Sequence, residues 1–434
     1  MTTERFVVLG LAHVRSAWFT EIARWSTTGS VPVEFVKCLS TEELSARVAS
    51  GRPFSAALLD GRLHTVDRDL IATLSRAGVT SLVVPDESAS TDWIRLGAAD
   101  LIDLPLDRVA LVDALETHAS PVDSMTGEVP VTRSAAVPTA WMGPMVAVTG
   151  TSGGGASTVA AALAQGLSAD ARHARQVVLA DLARTAHQAL LHDARDVVPG
   201  VQELVEAHRN GRPTTQQVSD LLYDVPSRGY RLLLGLRRPS DWVAIRSQAF
   251  TAALSSLRTA ARMVIADVDA DLEGEHETGS MDVEDRNFMA RHVTREADLV
   301  VAVGTPDLTG IHGLVGALGS LRSHGIEGHR LLAVVNRAPR SPRSRSELTR
   351  ALTELTGGVD QPDPHLGPLY LPERRSVDAI HRDLARFPNV LAGPLAAGVT
   401  AALAHTGRRD TRLDEPEAIT PGSLGTWGEV EATS

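Results

Sequence analysis

A chain of 434 residues is long enough for two ordinary domains and a connecting stretch, and its 43% hydrophobic and 22% charged composition is that of a globular protein. The formal net charge of −11 argues against a nucleic-acid binder that works through its whole surface, although local basic patches stay open. A single cysteine, Cys38, excludes an intrachain disulfide. The opening MTTERFVVLGL lacks the basic region of a signal peptide and no apolar run reaches spanning length, so a cytoplasmic protein without stable membrane insertion is expected.

Residues 1–118 alternate strand-like and helix-like segments, as a parallel α/β domain should. The expected strands are Arg5–Leu11, Val33–Cys38, Ser55–Leu59, Ser81–Val84 and Asp100–Asp103, with helices over Thr41–Ala49, Asp67–Ala77, Thr91–Leu96 and Arg108–His118. The stretch LGAADLIDLPLDRVALVDALETHA resembles the end of a response-regulator receiver domain, and Asp60 follows the third strand where receivers keep their phosphoacceptor. Receivers hold Mg²⁺ with an acidic pair after the first strand, where this sequence has Gly10, Leu11 and Ala12, and Leu104 replaces their lysine. Without metal or lysine a phosphoaspartate has nothing to stabilise it. Asp60 therefore reads as a vestigial phosphoacceptor, a strand-end or turn residue in an atypical, CheY-like pseudo-receiver used for docking. Residues 119–143, rich in Pro, Ser, Thr and Gly, read as a linker.

The second domain, residues 144–405, opens on MVAVTGTSGGGASTVAAALAQGL (Met145–Leu167): an apolar run, a glycine-rich loop and an alanine-rich helix. Gly150, four residues, Gly155, then Ala156 and Ser157 reproduce the spacing of G-x-x-x-x-G-K-[ST], with Ala156 in the lysine position. Gly150, Gly153, Gly154 and Gly155 would let backbone N–H groups converge on phosphate oxygens at the N-terminus of the helix that begins Ala156-Ser157-Thr158. The missing lysine is the cation that meets charge on a transferred phosphoryl group, so its loss should impair hydrolysis more than binding. Lys37 is the only lysine and lies far upstream. A glycine-rich turn that never meets a nucleotide is the competing reading.

Further strands are expected over Gln176–Asp181, Arg231–Leu236, Ala261–Asp267, Leu299–Gly304 and Leu331–Asn336. Asp267, with Ser157, is the candidate Mg²⁺-side pair, and Asp181 a candidate for positioning an attacking water; a strand-end aspartate serves equally as a helix cap. Asp269, Asp271, Glu273, Glu275 and Glu277 read as a solvated loop. Asn336 and Arg337 arrive at the C-terminal edge of the sheet, where open α/β folds bind ligands. The arginine-dense Arg337–Arg350 (RAPRSPRSRSELTR) reads as a solvated loop, since no aromatics interleave for stacking on nucleic acid. The scattered histidines show no zinc spacing, and the polar, acidic tail 406–434 reads as disordered.

Together these residues resemble the deviant-Walker ATPases related to MinD and ParA, most of all the CpaE/TadZ branch and its actinobacterial septum-site-determining relatives, over residues 1–405. Gly155-Ala156-Ser157-Thr158 matches the G-A-S-T that this branch often carries for G-K-T-T. VVLAD ending at Asp181, VIAD ending at Asp267, the VVNR of Asn336 and LPERRSVDAI from Leu371 also match. The resemblance implies two doubly wound parallel-sheet α/β domains, a pseudo-receiver and a MinD/ParA-like P-loop NTPase fold. It puts Asn336, Arg337 and Pro372 on the adenine side of a nucleotide site. It further implies ATP or ADP with Mg²⁺, held weakly or not at all, a homodimer, and recruitment to the cell pole or septum. Partners would be secretion, pilus or divisome proteins met through the receiver-like domain, with DNA an unfavoured partner. The family's signature lysine falls at Thr151 and the second acid of its D-x-D motif at Ala183. No catalytic residue is assigned, and a localisation or scaffold factor with a degenerate site is expected. The alternatives are an active ATPase using Arg184 or Arg337 as its cation, and a DNA-associated partition protein acting through Arg337–Arg350.

Overall fold

In a computed structural model of the chain, residues 5–13, 16–86, 91–122, 141–173, 176–357, 363–374 and 376–413 are described, with side chains as far as residue 406. Most of the expected linker and the tail beyond Leu413 lie outside the described residues. Five parallel strands make the first sheet: β1 (Phe6–Leu11), β2 (Val33–Cys38), β3 (Ala56–Asp60), β4 (Thr80–Val84) and β5 (Asp100–Leu101), in the order β2-β1-β3-β4-β5. Helices α1 (Ala17–Thr27), α2 (Thr41–Ala49), α3 (Arg68–Arg76), α4 (Trp93–Leu96) and α5 (Arg108–His118) cover both faces. This is a doubly wound arrangement whose order reverses between β1 and β3, and Asp60 closes β3 at that switch point. The strand expected to reach Asp103 stops at Leu101, and α1 was not foreseen. It forms because Trp18, Phe19, Ile22 and Trp25 make one buried stripe at helical spacing.

The second sheet has eight strands: β6 (Met145–Gly150), β7 (Val177–Asp181), β8 (Tyr223–Val225), β9 (Tyr230–Leu233), β10 (Met263–Asp267), β11 (Leu299–Gly304), β12 (Leu331–Ala338) and β13 (Leu366–Pro372). Their order is β13-β12-β11-β6-β10-β7-β9-β8, parallel except for the β8–β9 pair. The central strands are buried along their whole length, which is why they read as unbroken apolar runs. Around them lie α6 (Ala156–Ser168), α7 (Gln188–Leu191), α8 (Val201–Ala207), α9 (Thr215–Asp220), α10 (Ser247–Ala260), α11 (Glu275–Thr278), α12 (Met281–Glu296), α13 (Leu308–Ser323), α14 (Pro342–Leu355), α15 (Val377–Arg382) and α16 (Asn389–Leu413). Helices α6 and α16 pack on one face, and α8, α10, α12 and α13 on the other.

Three expectations need correction here. Arg337–Arg350 is not a loop: β12 runs to Ala338 and α14 begins at Pro342, capped by Ser341 and anchored by Leu348 and Leu352 one turn apart. The acidic stretch after Asp267 contains α11, and Asp271 pairs with Arg286 at 3.0 Å. The tail expected from residue 406 is helical to Leu413 as the end of α16.

The start of α3 joins the two sheets. Asp67 caps its own helix by accepting from the Leu70 N–H at 3.0 Å, and its other oxygen takes Arg209 at 2.9 Å. Arg68 donates to the His208 and Gly211 carbonyls just past the end of α8. Asp69 accepts from the backbone N–H groups of Gln248 at 2.8 Å and Ala249 at 3.1 Å, in the first turn of α10. The N-cap residue of α10, Arg246, offers no side-chain cap of its own. A carboxylate from the first domain thus finishes a helix of the second. Asp69→Ala should cost about 1 kcal/mol, the usual worth of such a cap. Urea unfolding of the full chain measures it, and an unchanged midpoint would show that α10 needs no cap from α3.

Candidate functional site

The glycine loop leaves β6 at the switch point of the second sheet. A Cβ on Gly150 would stand 2.3 Å from the Val303 carbonyl of β11, so only glycine lets the chain pass. Gly153 and Gly155 hold φ of +74° and +88°, in the left-handed region. Gly155 is the N-cap of α6 and contributes no side-chain cap, so the first turn of the helix presents backbone donors to whatever lies before it. Asn336, at the end of β12, donates to the Gly154 carbonyl at 2.9 Å and lies where a side chain on Gly155 would go. Arg337 follows with φ of +55°, a strained conformation for arginine, its N–H donating to the Asn336 amide oxygen. Beside the loop a cleft of about 290 Å³ runs between Gly155, Thr158, Arg337, Leu371, Pro372 and Leu391. Gly155, Thr158, Asn336, Arg337 and Pro372 therefore do converge on one cavity.

Asp181 and Asp267 end adjacent strands in direct register, and both are buried. Neither lines the cleft. Between them stands Gln188, the first residue of α7, which is fully buried and was not foreseen. Its backbone N–H donates to Asp181 Oδ2 at 2.8 Å. Its side-chain amide donates to Asp267 Oδ2 at 2.7 Å and to the Ser157 carbonyl at 3.0 Å. Burial pushes the Asp267 carboxyl up to about 6, against the Gln188 amide and Ser157 hydroxyl, which favour its charged form. Asp181 is driven well above the usual carboxylate range, by burial first and by the Asp267 charge second. Among the described residues no cluster of three or more His, Cys, Asp or Glu could hold a metal ion. The Gln188 amide nitrogen thus joins Asp267 Oδ2 to the Ser157 backbone carbonyl, while the Ser157 hydroxyl meets the Asp267 carboxyl directly.

The substitute cations are placed as follows. The Arg184 backbone N–H donates to Asp269 at 2.7 Å, and its guanidinium lies 3.5 Å from the Asn287 amide oxygen. Arg337 lines the cleft beside Asn336. Thr151 turns its methyl toward Gly313 of α13 within its own domain. In α14, Arg343 and Arg350 form i,i+4 pairs with Glu347 and Glu354, so the arginine-dense segment is partly neutralised locally.

A buried polar network that the sequence reading also missed ties this edge together. Thr158 Oγ1 lies 3.1 Å from His381 Nε2, and His381 Nδ1 lies 3.3 Å from the Leu191 carbonyl of α7. A carbonyl can only accept, so Nδ1 carries the hydrogen and Nε2 accepts from the threonine. His192 is fixed in the same way: Nδ1 donates to the Gln188 carbonyl at 2.7 Å, while Nε2 takes Arg228 at 3.2 Å and Tyr230 at 2.6 Å. Burial brings His192 down to about 4. Arg228 is fully buried; it donates to the Ala385 and Ile380 carbonyls and lies 4.7 Å over the Phe387 ring, and none of these partners is a carboxylate.

In the first domain Asp60 is sealed by Arg62 and Ser16. Arg62 donates from Nε to Oδ1 at 2.9 Å and from Nη2 to Oδ2 at 2.7 Å, and Ser16 donates to Oδ2 at 2.8 Å. Burial resists ionisation, but the Arg62 guanidinium and the Ser16 hydroxyl prevail and hold the carboxyl below its usual range.

Two measurements test these sites. Acetyl phosphate with Mg²⁺ should leave the mass of the protein unchanged, and a stoichiometric adduct lost in Asp60→Asn would refute the vestigial reading. Because the folded-state value of Asp267 is raised, its contribution to stability is complete below the unfolded value and is lost as pH rises through about 6. Asp267→Asn should therefore gain about 2 kcal/mol on wild type between roughly pH 4 and pH 7.5. Urea melts at the two pH values read it, and equal gains would show an unperturbed carboxyl.

No family model and no curated protein matches the chain. Among solved structures, a ParA family ATPase from Chlorobium tepidum TLS is 15% identical, covering 60% of this chain and 99% of that one at a TM-score of 0.46. The septum site-determining protein MinD from Pyrococcus horikoshii OT3, complexed with Mg-ADP, is 18% identical over 63% of this chain and 98% of that one, at 0.41. Apo McdA from Cyanthece is 15% identical over 61% and 100%, at 0.42. The α/β fold of the chain is given by its own two strand orders.

Proposed function

We propose that this chain is a localisation scaffold of the CpaE/TadZ type within the MinD/ParA superfamily. Its phosphate-loop domain holds a nucleotide without turning it over. Its receiver-like domain docks on components of a pilus or secretion apparatus or of the division septum, from the cytoplasm. The observation that carries this reading is a glycine cradle kept in working shape around a missing cation. The left-handed glycines, the uncapped start of α6 and the Asn336 brace are all in place, while position 156 is alanine. Backbone donors suffice to hold an anion. Meeting the charge that develops during transfer takes a preorganised cation, and losing one such donor costs roughly 100- to 1000-fold in rate. Both sheets bury their faces under helices, which leaves helix surfaces, loops and edges for partners. Among the described residues no helix is long and apolar enough to cross a membrane.

Phosphate release by the purified full chain, set against Ser157→Ala and Asp267→Ala, is the test. All three proteins should show the same background rate. Turnover in the wild type that disappears in both variants would make the protein an ATPase, with Arg337 the first cation to examine.

A further inference from the structure

A second cavity, larger than the cleft beside the glycine loop, opens between the arginine-dense segment and the turn after β13. It holds about 1080 Å³ between Arg337, Arg340, Ser344, Leu348, Arg374 and Ser376. Arg337, Glu373 and Arg374 line both spaces, so the two adjoin. The charges around the larger one are uneven. Within the segment Arg343 is taken by Glu347 and Arg350 by Glu354, while Arg345 donates to the Pro339 carbonyl at 2.8 Å and lies 5.4 Å over the Tyr370 ring. Arg337, Arg340 and Arg374, the three arginines that line the cavity, form no ion pair among the described residues. Arg374 Nε is moreover buried without a hydrogen-bond partner among those residues. Glu347 also lines the cavity but is held by Arg343, which leaves Glu373 as the one lining carboxylate to set against three guanidinium groups.

A guanidinium presents a planar fork of N–H donors that matches phosphate, and a buried unpaired donor is what a ligand oxygen would satisfy. The volume is that of a small-molecule pocket, and no aromatic ring lines it to stack the bases of a nucleic-acid strand. We propose that this cavity is a second anion subsite of the nucleotide cleft, and that its ligand is a free nucleotide with phosphate on both its 5′ and 3′ hydroxyls. The proposal rests on the nucleotide-binding reading, in which the 5′ phosphates meet the backbone N–H groups at the start of α6. Gly155 and Thr158 line the smaller cleft alone, so the nucleotide runs from there toward Arg337 and Pro372, and its 3′ phosphate continues into the arginines.

The test is calorimetry on the full chain with adenosine 5′-monophosphate and adenosine 3′,5′-bisphosphate, at physiological ionic strength so that loose charge attraction is screened. Wild type should bind the bisphosphate about tenfold more tightly, the usual worth of one hydrogen bond to a charged group. Arg340 lines only the larger cavity. Arg340→Ala should therefore abolish that preference and leave the monophosphate affinity as it was. Arg350→Ala, which removes a charge of the same segment outside the cavity, should change neither. Urea midpoints equal to that of wild type check that both variants fold. Equal wild-type affinities for the two nucleotides, a preference that survives Arg340→Ala, or a short DNA strand bound through Arg340 more tightly than the bisphosphate would overturn the proposal and leave the nucleotide-binding reading standing. If neither nucleotide binds any form of the protein, that reading falls and the subsite falls with it.

Discussion

A dry parallel sheet that ends two neighbouring strands in aspartate must dispose of two charges at one point. Asp181 and Asp267 stand in register at the tips of β7 and β10, and burial alone would drive both toward the neutral form. Helix α7 answers with one residue, whose backbone N–H serves the first acid and whose side chain serves the second. Once α7 is anchored there, its remaining polar groups fall into place. The Leu191 carbonyl fixes His381 and through it Thr158, and the Gln188 carbonyl fixes His192 and through it Arg228. The shape of the loop and of the neighbouring cleft is therefore set by contacts within the protein, before any ligand arrives.

Elements buried on both faces were the easiest to read. β6, β7, β10 and β11 are nearly unbroken apolar runs, and the structure places β7, β10 and β11 within a residue or two of the expected bounds. Elements with mixed surroundings were harder. β13 carries a glycine and two prolines in an only partly buried strand, and β8 is three residues long, so neither has a legible period. In α14 one proline and the arginines hide a leucine pair one turn apart, and α1 is not legible although its aromatics share one stripe.

The candidate site was legible only where spacing is local. Gly150 to Thr158 is a contiguous motif, so its geometry follows from the residue types. Gln188 acts across 79 positions on Asp267, and Thr158 across 223 on His381, and neither separation leaves a mark in the residue pattern. Arg62 is a different case, only two positions from Asp60, but a guanidinium folding back on a strand-end acid has no sequence signature of its own.

The Asp69 bridge bears on how the two halves of the molecule melt. A helix whose first turn is completed by a neighbouring domain loses its cap at the instant the domains part, and the neighbour loses an ion-pair partner in the same step. Local opening on either side is thereby coupled to opening on the other. Two sheets that could in principle denature independently are drawn toward a single cooperative transition.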